Sequence, residues 1–529
     1  MKRIYKITQV ALFGAFIVGC TDLDTAPLSS TITADQKEDV VAADPSKIEA
    51  SVTAITANFT QYAKIYTEDD NVHSDIGYPT IMLATDSRTT DFVADITGYN
   101  WYSNSANYSD CLSTSTATIE FWGTLYNQIY TANAVIGTVD NETSDSTLQF
   151  YLAQALAIRA FDYFTLVQLY QFNYKGHEDA PGVPIITSEN AEEVAANGCA
   201  RSTVKETYEF ILGDLNKAIE LLANTKKTRS DKRYVSLDVA YGIRARVHLT
   251  MHNYADALKD AEAALASTSS VPYSSAAVSK PTFIDIEDAS WMWGILITDK
   301  DRVSTTGICN FPSHMGSLNY GYASVGGWRR ISPKLYNQIP ESDVRKGWFL
   351  DDTGVSVNLP AAAQAYITKK GAPVYTQVKY GPMNDEWGSN NNATDVILMR
   401  VEEMYLIKAE AQAMNNDVSG GVNPLNSFVN TYRDPSYKCT ATTGEAVQEA
   451  VWHQRRIEFW GEGLAYFDIM RLNKGVNRLG CGFPKTAVFN IAAGDPVQIY
   501  SIPNKEVQYN PLLENNPLVS APTPIPDEE

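Results

Sequence analysis

The sequence predicts a mostly α-helical protein of about four tetratricopeptide-like helical pairs, with a large irregular, loop-rich insertion and minor β structure. Three observations carry that prediction. Apolar residues recur at helical spacing in several stretches, and small residues recur where paired helices would touch. Between them, two long regions rich in Tyr, Trp, Asn, Asp, Gly and Ser show no period.

The chain opens with Lys2, Arg3 and Lys6, followed by an apolar run over 10–18 and then Gly19 and Cys20. That run is far shorter than the roughly 20 residues a helix needs to cross hydrocarbon, so residues 1–19 read as a secretory signal. Ile17, Val18, Gly19 and Cys20 resemble a bacterial lipobox, which makes Cys20 the expected lipidated first residue of the mature chain. Losing residues 1–19 removes three positive charges and no acid, taking the formal charge from −20 to −23. Such a surface repels a phosphate backbone, so nucleic acid is not an expected partner. Asp22, Asp24, Asp35, Glu38 and Asp39, interspersed with Pro, Ser and Thr, predict a solvated tether over about 20–45, ahead of a single body over 46–529. Beyond Cys20 the cysteines are Cys111, Cys199, Cys309, Cys439 and Cys481, an odd number without zinc-site spacing.

Helices are expected over 150–170, 203–222, 236–266, 398–414 and 447–472, giving helical repeats over about 46–267 and 396–475. In the second of these, Tyr208, Ile211, Leu212, Leu215, Ala218, Ile219 and Leu222 mark one buried face, and Thr203 with Glu206 fits a capping box. Over 236–266, Ala245, Ala257, Ala261 and Ala264 have the offsets of a tetratricopeptide helix pair, where small side chains permit close approach. One such pair cannot bury its own face, so neighbours must stack on it. The irregular regions span about 66–120 and 268–395. Their aromatic content argues against disorder and for ligand binding. Within the second, 290–297 reads as a short strand that holds Trp291 and Trp293 in the core. The Pro-rich, acidic segment 519–529 is expected to fray.

Three blocks then stand in order: Leu398, Met399, Arg400, Glu403, Tyr405, Leu406, Ala409, Glu410 and Ala411; Arg455, Arg456, Glu458, Gly461, Glu462, Gly463, Phe467, Asp468 and Arg471; and Ile502, Pro503, Glu506, Asn510, Pro511, Asn516 and Pro517. With Arg159, Ala160, Tyr163 and Phe164, with Arg201, and with the lipobox, they resemble the SusD/RagB family of outer-membrane nutrient-binding lipoproteins along nearly the whole mature chain. Gln454, Ala465 and the pair Glu514 and Asn515 depart from the family pattern, where Glu, Arg and Gln-Asn are usual. Physically, the Arg and Glu residues of these blocks suit bidentate ion pairs between helices better than an acid/base pair at Glu458 and Glu462.

A sugar ring offers an apolar C–H face that stacks on Trp or Tyr, and hydroxyls that need polar side chains to replace water. Asp86, Arg88 and Asp91, followed by Tyr99, Asn100, Trp101 and Tyr102, supply that mixture within one irregular stretch. By the resemblance, Tyr320, Tyr322 and Trp328 in the insertion form the second half of the surface. His73 and Asp75 read as a turn with a solvated histidine rather than a metal site or proton relay. No nucleophile, zinc or phosphate-loop motif and no cofactor signature is present, which argues against an enzyme. The resemblance implies a lipid-anchored, cell-surface glycan receptor of the outer membrane that delivers ligand to a SusC-like TonB-dependent transporter. A peptide-binding or scaffold lipoprotein and a surface glycoside hydrolase are the alternatives.

Overall fold

The computed structural model describes residues 34–62, 72–305 and 307–527; the expected signal segment and Cys20 lie outside them. Among the described residues, eight helices have fourteen or more residues: Thr116–Ile136, Ser146–Tyr170, Val204–Asn224, Leu237–Thr250, Tyr254–Ser267, Val401–Met414, Val418–Tyr432 and Gly444–Glu458. Each packs on the next in chain order, and Tyr254–Ser267 packs on Val401–Met414 across the inserted segment between them. The expected stack of four helical pairs is therefore present, and the insertion leaves it uninterrupted. Thr203 caps Val204–Asn224 as its spacing predicts. Its hydroxyl accepts the Glu206 N–H at 3.1 Å, and the Glu206 carboxylate accepts the Thr203 N–H at 2.8 Å.

Four local readings need correction. Residues 34–43, placed in the tether, form a helix, and Val41 on it is buried. The irregular region over 66–120 contains the helix Tyr78–Ser87, all ten of whose residues are buried. A helix covered on every side has no polar face, hence no amphipathic period to detect. The stretch 396–400 is a strand that pairs antiparallel with Trp291–Ile295, and the helix begins only at Val401. Trp291 and Trp293 lie on that ladder, fully buried as expected. Finally, the tail is docked: the Ile525 N–H donates to the Val488 carbonyl at 3.0 Å and Asp527 accepts from the Gly480 N–H at 2.6 Å.

A second two-stranded ladder joins distant parts of the chain. Phe92–Ala94 runs antiparallel to Arg329–Ile331, with Phe92 opposite Ile331 and Ala94 opposite Arg329. The insertion is also fastened to the helices by buried charge. Glu458, on the last long helix, accepts from Arg433 at 2.8 Å, from Arg400 at 3.0 Å and from Arg345 of the insertion at 3.2 Å. Glu462 accepts from Arg400 at 2.8 Å and from Lys379 at 2.5 Å. Arg433 above all, then Arg400 and Arg345, hold the Glu458 carboxyl well below the ordinary range despite its burial. Gln454, where the family usually has Glu, still accepts from Arg345 at 2.5 Å. Arg471 grips both Glu410 and Asp468, and Arg455 donates to Asp468 at 2.7 Å. Both carboxylates are buried and paired with Arg or Lys, which suits Glu458 and Glu462 to structural ion pairs rather than to an acid/base pair.

Candidate ligand-binding surface

Six of the ten side chains chosen from the sequence are structural. Asp86, on the buried helix Tyr78–Ser87, accepts the Gly463 N–H at 3.0 Å, and burial raises its pKa to about 7. Gly463 sits at φ 73°, and a Cβ there would come 2.7 Å from Met82, so only glycine lets this turn close on the helix. Arg88 is buried between the rings of Tyr108 and Tyr500, 4.6 and 4.2 Å from their centroids, and donates to the Val497 carbonyl. Asp91 binds Arg456 in bidentate fashion at 2.6 and 2.7 Å. Asn100 accepts from Arg329 at 2.8 Å and donates to the Asp95 carbonyl at 2.9 Å. Tyr102 is buried edge-on to His314, with ring centroids 5.3 Å apart. Trp328 is only 6% exposed and belongs to a hydrophobic cluster with Leu318, Leu350, Ala363, Ile367 and Val378. These six therefore hold the surface up rather than line it.

The other four, Tyr99, Trp101, Tyr320 and Tyr322, remain accessible, and the Phe92–Ala94 ladder explains how two of them meet. It sets the loop that follows it, carrying Tyr99 and Trp101, beside the segment that precedes Arg329–Ile331. Trp101 and Tyr322 lie with centroids 6.1 Å apart, inclined at 64°. His73 completes a triangle with them, stacked on Trp101 at 4.8 Å and 5.9 Å from Tyr322, whose hydroxyl shares a hydrogen bond with its Nδ1. Burial lowers the His73 pKa, favouring the neutral ring. Beneath them, His314 stacks on Tyr322 at 5.0 Å and donates through Nε2 to the His73 carbonyl at 2.9 Å. Burial first, and then the Arg329 charge, push the His314 pKa down to about 3, so this support is uncharged. Tyr99 and Tyr320 flank the cluster, 52% and 45% exposed.

Tyr99 is kept in place by glycines. Gly326 stands at φ 149°, where a Cβ would fall 2.7 Å from the Tyr99 ring, and one on Gly327 would fall 2.7 Å from the Tyr99 carbonyl. His73 was not recognisable as part of this group, because a histidine after an acidic stretch and before a Gly-Tyr-Pro turn carries no sign of an aromatic partner 249 residues away. The arrangement offers flat ring faces backed by an uncharged, hydrogen-bonded second layer. Among the described residues no group of His, Cys, Asp and Glu is arranged to hold a metal ion.

A family model described as "Starch-binding associating with outer membrane", SusD-like, matches residues 35–249, and the SusD family model matches 342–518. The SusD-like protein P2 of Formosa agariphila is 25% identical over 392 residues, covering 67% of this chain and 72% of that protein. The fold superposes on a SusD-like carbohydrate binding protein from Bacteroides vulgatus with a TM-score of 0.72 at 23% identity, over 88% of this chain and 96% of that one. A SusD superfamily protein from Bacteroides thetaiotaomicron gives a TM-score of 0.71 at 22% identity, over 92% of this chain and all of the other. With both matched segments, the helical stack and the Arg/Glu blocks in agreement, the chain belongs to the SusD/RagB family.

Proposed function

We propose that this protein is a glycan receptor that binds oligosaccharide at the cell surface without chemical change and passes it to a TonB-dependent outer-membrane transporter. The observation that carries the reading is the cluster of Trp101, His73 and Tyr322, flanked by exposed Tyr99 and Tyr320. Ring faces of this kind replace the water lost from the C–H face of a sugar, and the tyrosine hydroxyls at their edges meet its hydroxyls. Carbohydrate binding by the Bacteroides vulgatus neighbour supports it. Anchoring through a lipid on Cys20 fits a protein in which, among the described residues, no helix is long and apolar enough to cross a membrane.

Calorimetry against a panel of plant and host oligosaccharides tests the receptor reading. Trp101→Ala and Tyr322→Ala should each weaken binding by about tenfold or more, equivalent to about 1.4 kcal/mol. Unchanged affinity in both variants would remove this surface from consideration, and release of reducing ends by the purified protein would replace receptor with hydrolase.

A further inference from the structure

A second cleft, sharing no residue with the aromatic cluster, is cut into the insertion. It encloses about 470 Å³, within the range of pockets that hold small ligands. Two tyrosines line one side: Tyr336, on the short helix Pro333–Tyr336, and Tyr375, with ring centroids 5.1 Å apart and planes inclined at 57°. Tyr336 is only 8% exposed, yet among the described residues its hydroxyl makes no hydrogen bond. Burial, and then the carboxylates of Asp351 and Glu341, raise its pKa to about 12, so it stays a donor. The ring is buried but the hydroxyl at its tip is open to the cleft, where a bound acceptor could take the place of water.

The same cleft supplies acceptors. Asp351 is occupied, capping the turn by accepting the N–H groups of Thr353 and Val355 at 2.8 and 2.9 Å. Its neighbour Asp352 is exposed and among the described residues has no hydrogen bond or ion pair. Glu341 is paired with Lys346 at 2.6 Å, which offsets the one lysine among the described residues that line the cleft. Val355 and Val357, the latter 92% exposed, form an apolar lip. Lys346 Nζ stands 5.0 Å from the centre of the Tyr336 ring, so the open groups are the Tyr336 hydroxyl, the Asp352 carboxylate, the Tyr375 ring and the apolar lip. They match a ligand whose hydroxyls both donate and accept and whose C–H faces are apolar. The surplus of carboxylates turns away uronic or sulfated sugars.

We propose that this cleft is a second glycan site, taking a neutral oligosaccharide and distinct from the aromatic cluster. The proposal rests on the reading of the protein as a glycan receptor, and its test separates the two. Native mass spectrometry and calorimetry would use the purified mature protein with neutral, uronate-bearing and sulfated oligosaccharides and a Lys/Arg-rich peptide. The wild type should bind two copies of a neutral oligosaccharide. The double variant Tyr336→Phe and Asp352→Asn, both substitutions keeping side-chain size, should lose one copy or weaken it about tenfold or more, while Trp101→Ala with Tyr322→Ala should lose the other. A single bound copy that the cleft variant leaves unchanged overturns the second site and keeps the first. Binding that only the cleft variant removes keeps the second site and overturns the first. Preference for the basic peptide or an anionic glycan at the cleft, or no binding of any neutral sugar, overturns the proposal.

Discussion

At the scale of single residues, the polar side chains divide into those satisfied by the protein and those left over, and position along the chain does not tell them apart. Asp91 looked ligand-facing because it sits beside Arg88 and ahead of an aromatic run. Its partner, Arg456, lies 365 residues on. Tyr99 and Tyr320 were legible as surface candidates because no local apolar pattern claims them, whereas the burial of Trp328 depends on Ala363 and Ile367 of a later helix. Asp162 is the opposite case: fully buried, with no hydrogen-bond partner for either carboxylate oxygen, and raised far above the usual range by burial alone. Because the folded pKa is the higher one, its contribution to stability is complete below the ordinary carboxylate pKa. It drains away as pH climbs from there through the raised value. Asp162→Asn should therefore flatten the alkaline fall in thermal stability: the difference in Tm between pH 5 and pH 9 shrinks relative to wild type. An unchanged difference would show that the carboxyl ionises freely in the folded protein.

Secondary-structure elements were readable where one face met solvent. Val204–Asn224 announced itself by period and cap, while Tyr78–Ser87, enclosed on all sides, gave no such sign. The boundary between strand 396–400 and the helix Val401–Met414 is not legible in the sequence, because the strand is buried on both faces and runs straight into the helix. Loops were the least legible, since what shapes them is contact with other loops. The segment around Gly326 is the test: a Cβ there collides with the Tyr99 ring in a backbone region that side chains rarely adopt. Gly326→Val should lower oligosaccharide affinity several-fold, although the residue presents no side chain to the ligand, with the helical circular dichroism unchanged. If affinity holds, Tyr99 takes no part in binding.

For the molecule as a whole, the blocks that marked the family are also what secures its large insertion. Glu458 receives guanidinium groups from the insertion, from the strand that closes it and from the helical stack. Removing it would leave Arg345, Arg400 and Arg433 buried without their shared counter-charge. Glu458→Ala should cost about 3–5 kcal/mol, a large part of the roughly 5–15 kcal/mol of a typical fold, read as a lowered urea midpoint. A change within about 0.5 kcal/mol would mean that Glu402, Glu462 and Asp343 can carry those charges without it.

The pairing of Phe92–Ala94 with Arg329–Ile331 has a consequence in time as well as space. A loop of well over two hundred residues must close before that ladder forms, and such closures are among the later events of folding. A nascent chain halted short of residue 331 would already own five of the eight long helices among the described residues yet lack this ladder; on the proposed reading, sugar recognition is acquired near the end of maturation.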